Sequence, residues 1–313
     1  MDAIYLFQQA ASPALTEVTL FMTNLGTERA YITFLLVVYL GMDARLGRYL
    51  GLTFCLGYWV NFHLKGIINT TRPYVIDPSV ALTPEALATG PGPAFPSGHA
   101  QASTMFWGFL AAYYKRVWLW WVASVLIFVI SLTRVYLGLH IPLDLLGGWV
   151  IGAGIIFLGL MIYQQVRQSA PWYMRLAALP KAAQIAVALV LTLLLQMLFP
   201  TADSEVMLGG AAAFAIAPFL VKYRVPKKLP AKVIIVMMGL VAAFAVLLGS
   251  SVLLPEALKR NDAVGYVRYL FIGLSGVAFV PWLAGRLGLA QPAEPLASEA
   301  TEPMTSSIPA EQA

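Results

Sequence analysis

Charged side chains are scarce in this chain of 313 residues: Asp, Glu, Lys and Arg make up 11% of it, whereas 59% is hydrophobic. This composition excludes an ordinary soluble domain, and long apolar stretches recur from one end to the other. The one cysteine, Cys55, lies in an apolar run, so neither a disulfide within the chain nor a cysteine-based metal site can form. The composition predicts an all-α, polytopic membrane helical bundle.

Basic residues are absent from the start of the chain, where a cleaved signal peptide would have them, so the first apolar segment is expected to remain. They are also absent from residues 290–313, which are predicted to be a disordered cytoplasmic tail. We predict a core of six spans in residues 1–166, a cytoplasmic linker in 167–181, and about four additional transmembrane helices of unknown role in 182–289. The ten predicted spans are Ala3–Met22, Arg29–Gly41, Tyr49–Leu64, His99–Tyr114, Val117–Leu139, Pro142–Gln164, Ala182–Phe199, Val206–Val221, Val233–Leu254 and Tyr266–Leu287.

Lys and Arg are unevenly divided between the two faces of the predicted bundle. If both termini are cytoplasmic, thirteen of the twenty lie on the cytoplasmic face. The positive-inside rule then predicts a multi-pass protein of the cell (inner) membrane whose opposite, extracytoplasmic face carries the motifs described below. The cytoplasmic loops account for the pI near 9.3, so no nucleic-acid partner is expected. The seven Lys and Arg residues on the predicted extracytoplasmic face are Arg29, Lys65, Arg72, Arg134, Lys259, Arg260 and Arg268.

The first motif is a pair of cations. Lys65 and Arg72 are seven residues apart, which on a helix places them two turns apart on one face, and Pro73 would end that helix. Two cations would then face one anion. Taken alone, such a pair is more often a basic anchor at the end of a span.

The second motif is Pro96-Ser97-Gly98-His99, which directly precedes an apolar helix. Ser97 is predicted to be its N-cap, and the backbone amides near Gly98 would form an anion site at the helix N-terminus. Plain capping beside an incidental histidine explains this tetrapeptide equally well.

The third motif joins the ends of two spans. Arg134 closes one span, and Pro142 suits the first turn of the next, which leaves His140 in the turn and Asp144 within that first helical turn. Asp144 could fix one imidazole nitrogen and leave the other free to attack. The alternative is a purely structural role, in which Asp144 interacts with the helix dipole and His140 is unrelated to it. Because the predicted topology brings all three motifs to one face, coincidence is a poor explanation of all three.

Together, the motifs resemble the type-2 phosphatidic acid phosphatase superfamily, whose pattern is K-x6-R-P, P-S-G-H and S-R-x5-H-x3-D. Residues 65–73 and 96–99 match the first two parts, and residues 133–144 match the third with Thr133 in place of the usual serine. The retained hydroxyl could bond a phosphate or the backbone. The resemblance covers about the first 165 residues.

The resemblance implies a role for each matched residue. His140 would be the nucleophile that becomes a phosphohistidine, Asp144 would orient it, and His99 would protonate the leaving oxygen. The cations would supply the charge that a metal supplies elsewhere, and no carboxylate cluster accompanies them, so neither a metal nor another cofactor is expected. The residues expected to bind the phosphate are Lys65, Arg72, Ser97, Gly98 and Arg134.

The expected function is that of an integral membrane phosphatase acting on a lipid phosphomonoester or diphosphate of the phosphatidate, phosphatidylglycerophosphate or undecaprenyl diphosphate class. A lipid phosphotransferase of the same fold and an anionic-lipid transporter or flippase stay open, as does a homo-oligomer. Soluble haloperoxidases share the motifs, but the hydrophobicity of this chain argues against them. The loop Pro73–Phe95 would cover the site or select head groups, and His63 is expected to be an interfacial histidine without a catalytic role.

Overall fold

The computed structural model describes residues 1–201 and 203–290, and within them it contains helices and no β-strand. The predicted all-α class is therefore confirmed. The predicted disordered tail lies outside the described residues, apart from its first residue, Ala290. The helices are α1 Asp2–Gln8, α2 Pro13–Asn24, α3 Glu28–Val37, α4 Ala44–Ile68, α5 Pro73–Ile76, α6 Pro84–Ala88, α7 Gly98–Ser103, α8 Phe109–Tyr114, α9 Val117–Tyr136, α10 Pro142–Arg167, α11 Pro171–Ala177, α12 Lys181–Leu198, α13 Ser204–Leu220, α14 Leu229–Leu253, α15 Glu256–Lys259, α16 Asp262–Leu274 and α17 Val280–Arg286.

Short turns of other helix types join some of these elements. The π-helical turns Val38–Met42, Thr104–Gly108 and Ser275–Phe279 continue α3, link α7 to α8, and link α16 to α17, respectively. A 3₁₀ turn, Pro78–Val80, follows α5. The chain therefore runs helically through most of each predicted span, with local changes of pitch.

Five helical segments of the described chain are long and apolar enough to cross a membrane, and a bent pair in the first 42 residues would make six. The multi-pass character is therefore clear, while the total of ten spans stays a prediction. Helix α4 falls outside this set although it has 25 residues, because Arg48, Asn61 and His63 interrupt its apolar sequence. The five segments are Val117–Tyr136, Pro142–Arg167, Lys181–Leu198, Leu229–Leu253 and Asp262–Arg286.

The first predicted span, Ala3–Met22, is wrong as a single crossing. The chain breaks between α1 and α2, where Ser12 caps a helix that begins at Pro13. Helix α1 packs against the connection that follows Arg72: Tyr5 Oη donates to Asp77 Oδ2 at 2.6 Å, and this bond lowers the pKa of Asp77. The N-terminus therefore lies at the end of the bundle that carries the three motifs, whereas the predicted topology places it at the opposite end.

The C-terminal helices share a hydrophobic core with the N-terminal ones. Helix α13 packs between α4 and α16, and its buried Phe214 contacts Tyr39 at an interplanar angle of 74°. Tyr223 Oη, in the same cluster, donates to Leu40 O at 2.6 Å. The proposed division at residues 167–181 therefore separates regions of sequence whose helices pack together over a common apolar interior.

A tight turn between α9 and α10 places the third motif. Gly138 has φ +73°, and a Cβ there would lie 2.1 Å from Val80 O, so only glycine fits. Leu139 N and His140 N both donate to Arg134 O, at 3.0 and 3.2 Å. Pro142 then starts α10, as predicted, and Asp144 lies in its first turn.

Candidate active site

His140 and Asp144 form a buried pair at the start of α10. His140 Nδ1 lies 3.1 Å from Asp144 Oδ2, and the same oxygen accepts a hydrogen bond from Ile141 N at 3.1 Å. His140 and Asp144 are only 1% and 3% exposed. The main-chain bond fixes the carboxylate, and the carboxylate in turn fixes the plane of the imidazole.

The other nitrogen of His140 faces a cation. Arg72 Nη1 lies 2.7 Å from His140 Nε2, and because a guanidinium can only donate, Nε2 must accept. The proton of the neutral imidazole therefore sits on Nδ1 and is donated to Asp144. Burial, with the nearby charges of Arg72 and Arg134, lowers the pKa of His140 well below that of a free histidine, so the ring is neutral at neutral pH.

The predicted shared helix for Lys65 and Arg72 is wrong. Helix α4 ends at Ile68, and Asn69 takes a left-handed conformation with φ 47° that turns the chain before Arg72. Thr70 then holds the end of the loop Pro73–Phe95 next to α4. Its Oγ1 accepts a hydrogen bond from Phe95 N at 2.7 Å, and its carbonyl accepts one from Ala94 N at 2.9 Å. Lys65 and Arg72 therefore come together because the loop returns to the end of α4, and not because they share one face of a helix.

The backbone carbonyls of residue 89 and of residues 91–94 accept hydrogen bonds from the three cations, and we call residues 89–94 the carbonyl collar. Lys65 Nζ donates to Pro93 O and Ala94 O at 2.7 and 3.1 Å. Arg72 donates to Pro91 O at 3.0 Å and to Gly92 O at 2.9 Å. The collar thus orients the cations without placing a neutralising carboxylate on any of them. This part of the loop Pro73–Phe95 covers the predicted site.

Arg134 is fully buried and is the third cation of the group. Its Nη1 donates to Thr23 Oγ1 and to Thr89 Oγ1, both at 2.8 Å, and its Nη2 donates to Thr89 O at 3.0 Å. Its Nε–H group has no partner among the described residues. Thr133, the departure from the family pattern, donates its hydroxyl to Ile130 O at 2.6 Å, so that hydroxyl serves the helix backbone.

The second motif lies beside the first turn of α10. Ser97 caps α7, with Ala100 N 3.5 Å from its Oγ, which confirms the predicted cap. Ser97 N also donates to Asp144 O at 3.0 Å, which joins the motif to the His140 pair. Gly98 and His99 begin the helix, and His99 Nε2 is buried with no partner among the described residues. An unpartnered buried nitrogen next to three cations is suited to proton transfer with a ligand.

Several residues of the site were not predicted from sequence. Asn61 and Gln101 are fully buried, and Asn61 Nδ2 donates to Gln101 Oε1 at 2.8 Å. Gln101 Nε2 in turn donates to Gly57 O at 2.7 Å, which ties α7 to α4. A buried amide pair inside apolar helices was the available signal for these two. Thr23 and Thr89 had no such signal, because threonine is common at helix ends and in loops.

His63 lies outside the catalytic group. Its Nδ1 is 2.9 Å from Trp59 O and its Nε2 is 2.9 Å from Phe199 O, so both nitrogens face backbone carbonyls. His63 therefore links α4 to the connection between α12 and α13. It offers a control for experiments on the other two histidines.

Comparisons with known proteins show the family to which the chain belongs. A model described as the PAP2 superfamily matches residues 46–168, and one described as the PAP2 superfamily phosphatase, transmembrane extension, matches residues 204–292. Undecaprenyl-diphosphatase of Sulfolobus acidocaldarius is 30% identical over 146 residues, which cover 45% of this chain and 68% of that protein. The chain belongs to the PAP2 superfamily.

A second relative supports this PAP2 membership over a shorter stretch. YbjG of Escherichia coli (strain K12), whose name assigns it provisionally to the undecaprenyl-diphosphatases, is 38% identical over 96 residues, covering 28% of this chain and 46% of that protein. No solved structure matches the chain significantly. The PAP2 match begins at residue 46, so α1, α2 and α3 lie outside it. The protein is thus a multi-pass membrane member of a phosphatase family.

Proposed function

We propose that this PAP2 protein is an integral membrane lipid phosphatase that works through a phosphohistidine on His140. The observation that carries the proposal is the geometry of His140: Nδ1 is held by Asp144, while Nε2 carries a lone pair and lies 2.7 Å from Arg72 Nη1. A neutral nucleophile beside a cation that can bind a phosphoryl oxygen is the arrangement that phosphoryl transfer requires.

The reaction would proceed in two steps. His99 first takes up a proton, which the negative charge of the bound phosphate favours. His140 Nε2 then attacks phosphorus, the bond to the leaving oxygen breaks, and His99 gives that oxygen the proton. Water then attacks the phosphohistidine, His99 takes a proton from it, and inorganic phosphate leaves. Asp144 stabilises the positive charge that His140 acquires during the attack.

The cations keep donors available for the phosphoryl group although the collar binds them. Of the donors that they have, Lys65 uses two of three, Arg72 four of five and Arg134 three of five on protein acceptors. The remaining four N–H groups, with the amides that start α7, can bind the three non-bridging oxygens. Before attack, Arg72 Nη1 must give up its bond to His140 Nε2, and the freed N–H can then bind a phosphoryl oxygen while the collar holds the rest of the guanidinium in place.

The substrate we favour is an isoprenyl diphosphate of the undecaprenyl diphosphate class. Both relatives have undecaprenyl-diphosphatase names, and membrane helices around the site would let a lipid tail stay in the bilayer while its head group reaches His140. Phosphatidate and phosphatidylglycerophosphate are the other members of the proposed substrate class. The proposed location is the inner membrane with the site on the extracytoplasmic face.

A panel of these lipids, incubated with purified protein in detergent, tests the function. We expect each lipid that is hydrolysed to lose one phosphate, which is released as inorganic phosphate. The isoprenyl diphosphate should have the highest kcat/KM. Adding unphosphorylated lipid acceptors separates a hydrolase from a phosphotransferase, since the latter would label the acceptor. Failure to release or transfer phosphate from every lipid would contradict the proposal and leave lipid transport as the alternative.

Metal independence is a separate prediction. Among the described residues no group of three His, Cys, Asp or Glu side chains is placed to hold a metal ion, and three cations face the site. We expect full activity in excess EDTA and inhibition by vanadate, which mimics a five-coordinate phosphoryl group on His140. Loss of activity in EDTA that magnesium restores would show that a metal takes part.

Gly90 gives a test of the carbonyl collar. A Cβ at this position would lie 3.2 Å from Arg134 Nη2 and 3.4 Å from Arg72 Nη1, so Gly90→Val would push methyl groups between the two guanidinium groups. We expect kcat/KM to fall by about tenfold to a hundredfold, because small displacements of positioning groups have effects of that size. Gly66→Val is the control, since a Cβ there meets nothing within 4 Å. Equal activity of the two variants would exclude a role for the collar.

The membrane orientation can be measured by cysteine labelling in a Cys55→Ala background. Ser79 and Asp2 are exposed at the site end of the bundle, and Lys228 is exposed at the other. We expect an impermeant maleimide to label Ser79→Cys and Asp2→Cys in intact cells whose outer membrane, where present, is permeabilised. Lys228→Cys should react only after lysis, because the basic loop around it resists translocation. The reverse pattern would place the active site in the cytoplasm.

A further inference from the structure

We infer that α2 and the turn after it complete the active site, with Thr23 as a positioning residue for Arg134 and Gly26 as the space that His99 requires. This inference rests on the proposed function. Both residues lie before residue 46, where the PAP2 match begins, so the motif pattern does not contain them. The structure places them against two of its matched residues.

Thr23 holds Arg134 together with the collar residue Thr89. It is fully buried, and its Oγ1 accepts a hydrogen bond from Arg134 Nη1 at 2.8 Å. Thr89 Oγ1 accepts from the same nitrogen at 2.8 Å. Two hydroxyls from elements far apart in the chain thus fix one end of the guanidinium, which leaves Nε and one Nη2 hydrogen for a ligand. Because a bond to a charged group is among the stronger ones, its loss should let Arg134 rotate.

The backbone at the end of α2 also sets the position of His99. Gly26 N donates to Thr23 O at 2.9 Å, which closes the turn beside His99. A Cβ on Gly26 would lie 2.6 Å from His99 Cδ2 and 2.8 Å from Ile130 Cγ2. Any larger residue must therefore displace the ring whose Nε2 is free. Gly26 therefore provides the space that the His99 ring occupies.

The two positions should affect different parts of the reaction. Arg134 binds the phosphoryl group whatever the leaving group is, so Thr23→Val should lower kcat/KM by about tenfold to a hundredfold for every substrate. His99 acts as the base of the second step with every substrate, but in the first step it matters only when the leaving oxygen needs a proton. Gly26→Ala should therefore slow hydrolysis of an alkyl lipid phosphate more than hydrolysis of p-nitrophenyl phosphate, whose leaving group is a weak base.

The experiment measures both substrates with the full-length protein in detergent. Thr23→Ser should restore most of the activity that Thr23→Val loses, because the hydroxyl is kept. Thr19→Val is the control on the same helix, since Thr19 is buried but makes no hydrogen bond to Arg134. Gly66→Ala is the control for Gly26→Ala.

The outcomes separate the two proposals. Wild-type protein that hydrolyses neither of these substrates nor the isoprenyl diphosphate would overturn the proposed function. Active wild-type protein with Thr23→Val equal to Thr19→Val, or with Gly26→Ala slowing both substrates to the same degree, would overturn this inference alone. Thermal unfolding of each variant shows whether any common loss reflects an unfolded protein.

Discussion

Replacing His140 by alanine should abolish turnover together with any acid-labile phosphoenzyme. Its Nε2 lies beside the cation Arg72, and Asp144 fixes the tautomer that leaves a lone pair on this nitrogen. Loss of a covalent nucleophile typically costs several orders of magnitude in kcat, so we expect a decrease of at least about a thousandfold. The measurement is phosphate release, with acid-quenched labelling from a ³²P-phosphate lipid.

The matched controls are changes at His63 and Asp144. His63→Ala removes a histidine on α4 that bonds only backbone carbonyls, and it should keep near wild-type kcat. Asp144→Asn should leave a small residual rate, because the amide cannot stabilise an imidazolium and favours the wrong tautomer. A His140→Ala variant that retains more than about a hundredth of the wild-type rate would show that another atom attacks phosphorus.

Replacing Arg72 by lysine should lower kcat by about a hundredfold to a thousandfold, although the formal charge is kept. The guanidinium reaches His140 Nε2, Leu139 O and two collar carbonyls at once, and it has a further N–H for a phosphoryl oxygen. An ammonium group has three donors on a single nitrogen and cannot span these acceptors. Removing one donor aimed at developing charge has costs of this size in other enzymes.

The control is an arginine remote from the site. Arg116 lies in the turn between α8 and α9, exposed and at the other end of the bundle, and Arg116→Lys should leave kcat unchanged. Steady-state kinetics with one lipid substrate, at saturating and limiting concentrations, separate loss of kcat from a rise in KM. If Arg72→Lys changed only KM, Arg72 would bind the ground state and the transition state equally, and its proposed role would be wrong.

Local features of the site were predictable from sequence because they depend on neighbouring residues. The cap at Ser97, the start of α10 at Pro142 and the placing of Asp144 in its first turn follow from rules that act over about four residues. The shared helix for Lys65 and Arg72 was predicted from the same kind of spacing and is wrong. Asn69 ends α4 four residues earlier than the proline suggests, and a left-handed asparagine has only a weak sequence signal.

Long-range partners were not predictable. The carbonyl collar consists of backbone oxygens, which every residue has, so nothing in residues 89–94 distinguishes a segment that faces Arg72 from any other loop. The contact of Thr23 with Arg134 joins residues 111 positions apart. Hydropathy also predicts a single membrane-spanning helix for Ala3–Met22, where the structure has the two helices α1 and α2. An apolar helix that packs against the site has the same composition as a helix that crosses the bilayer, so hydropathy does not distinguish them.

The sequence by itself determined the class of the protein and the chemical groups available to it. Scarce charge and long apolar runs predict membrane helices, because only closed backbone hydrogen bonding is stable in lipid. The few His, Arg and Asp residues in the three motifs form the proposed site. The tertiary structure alone decided which atoms hold those groups and at which end of the bundle the chain begins. Those features depend on loop closure and on the direction of backbone carbonyls, and neither is determined by the spacing of side chains along the chain.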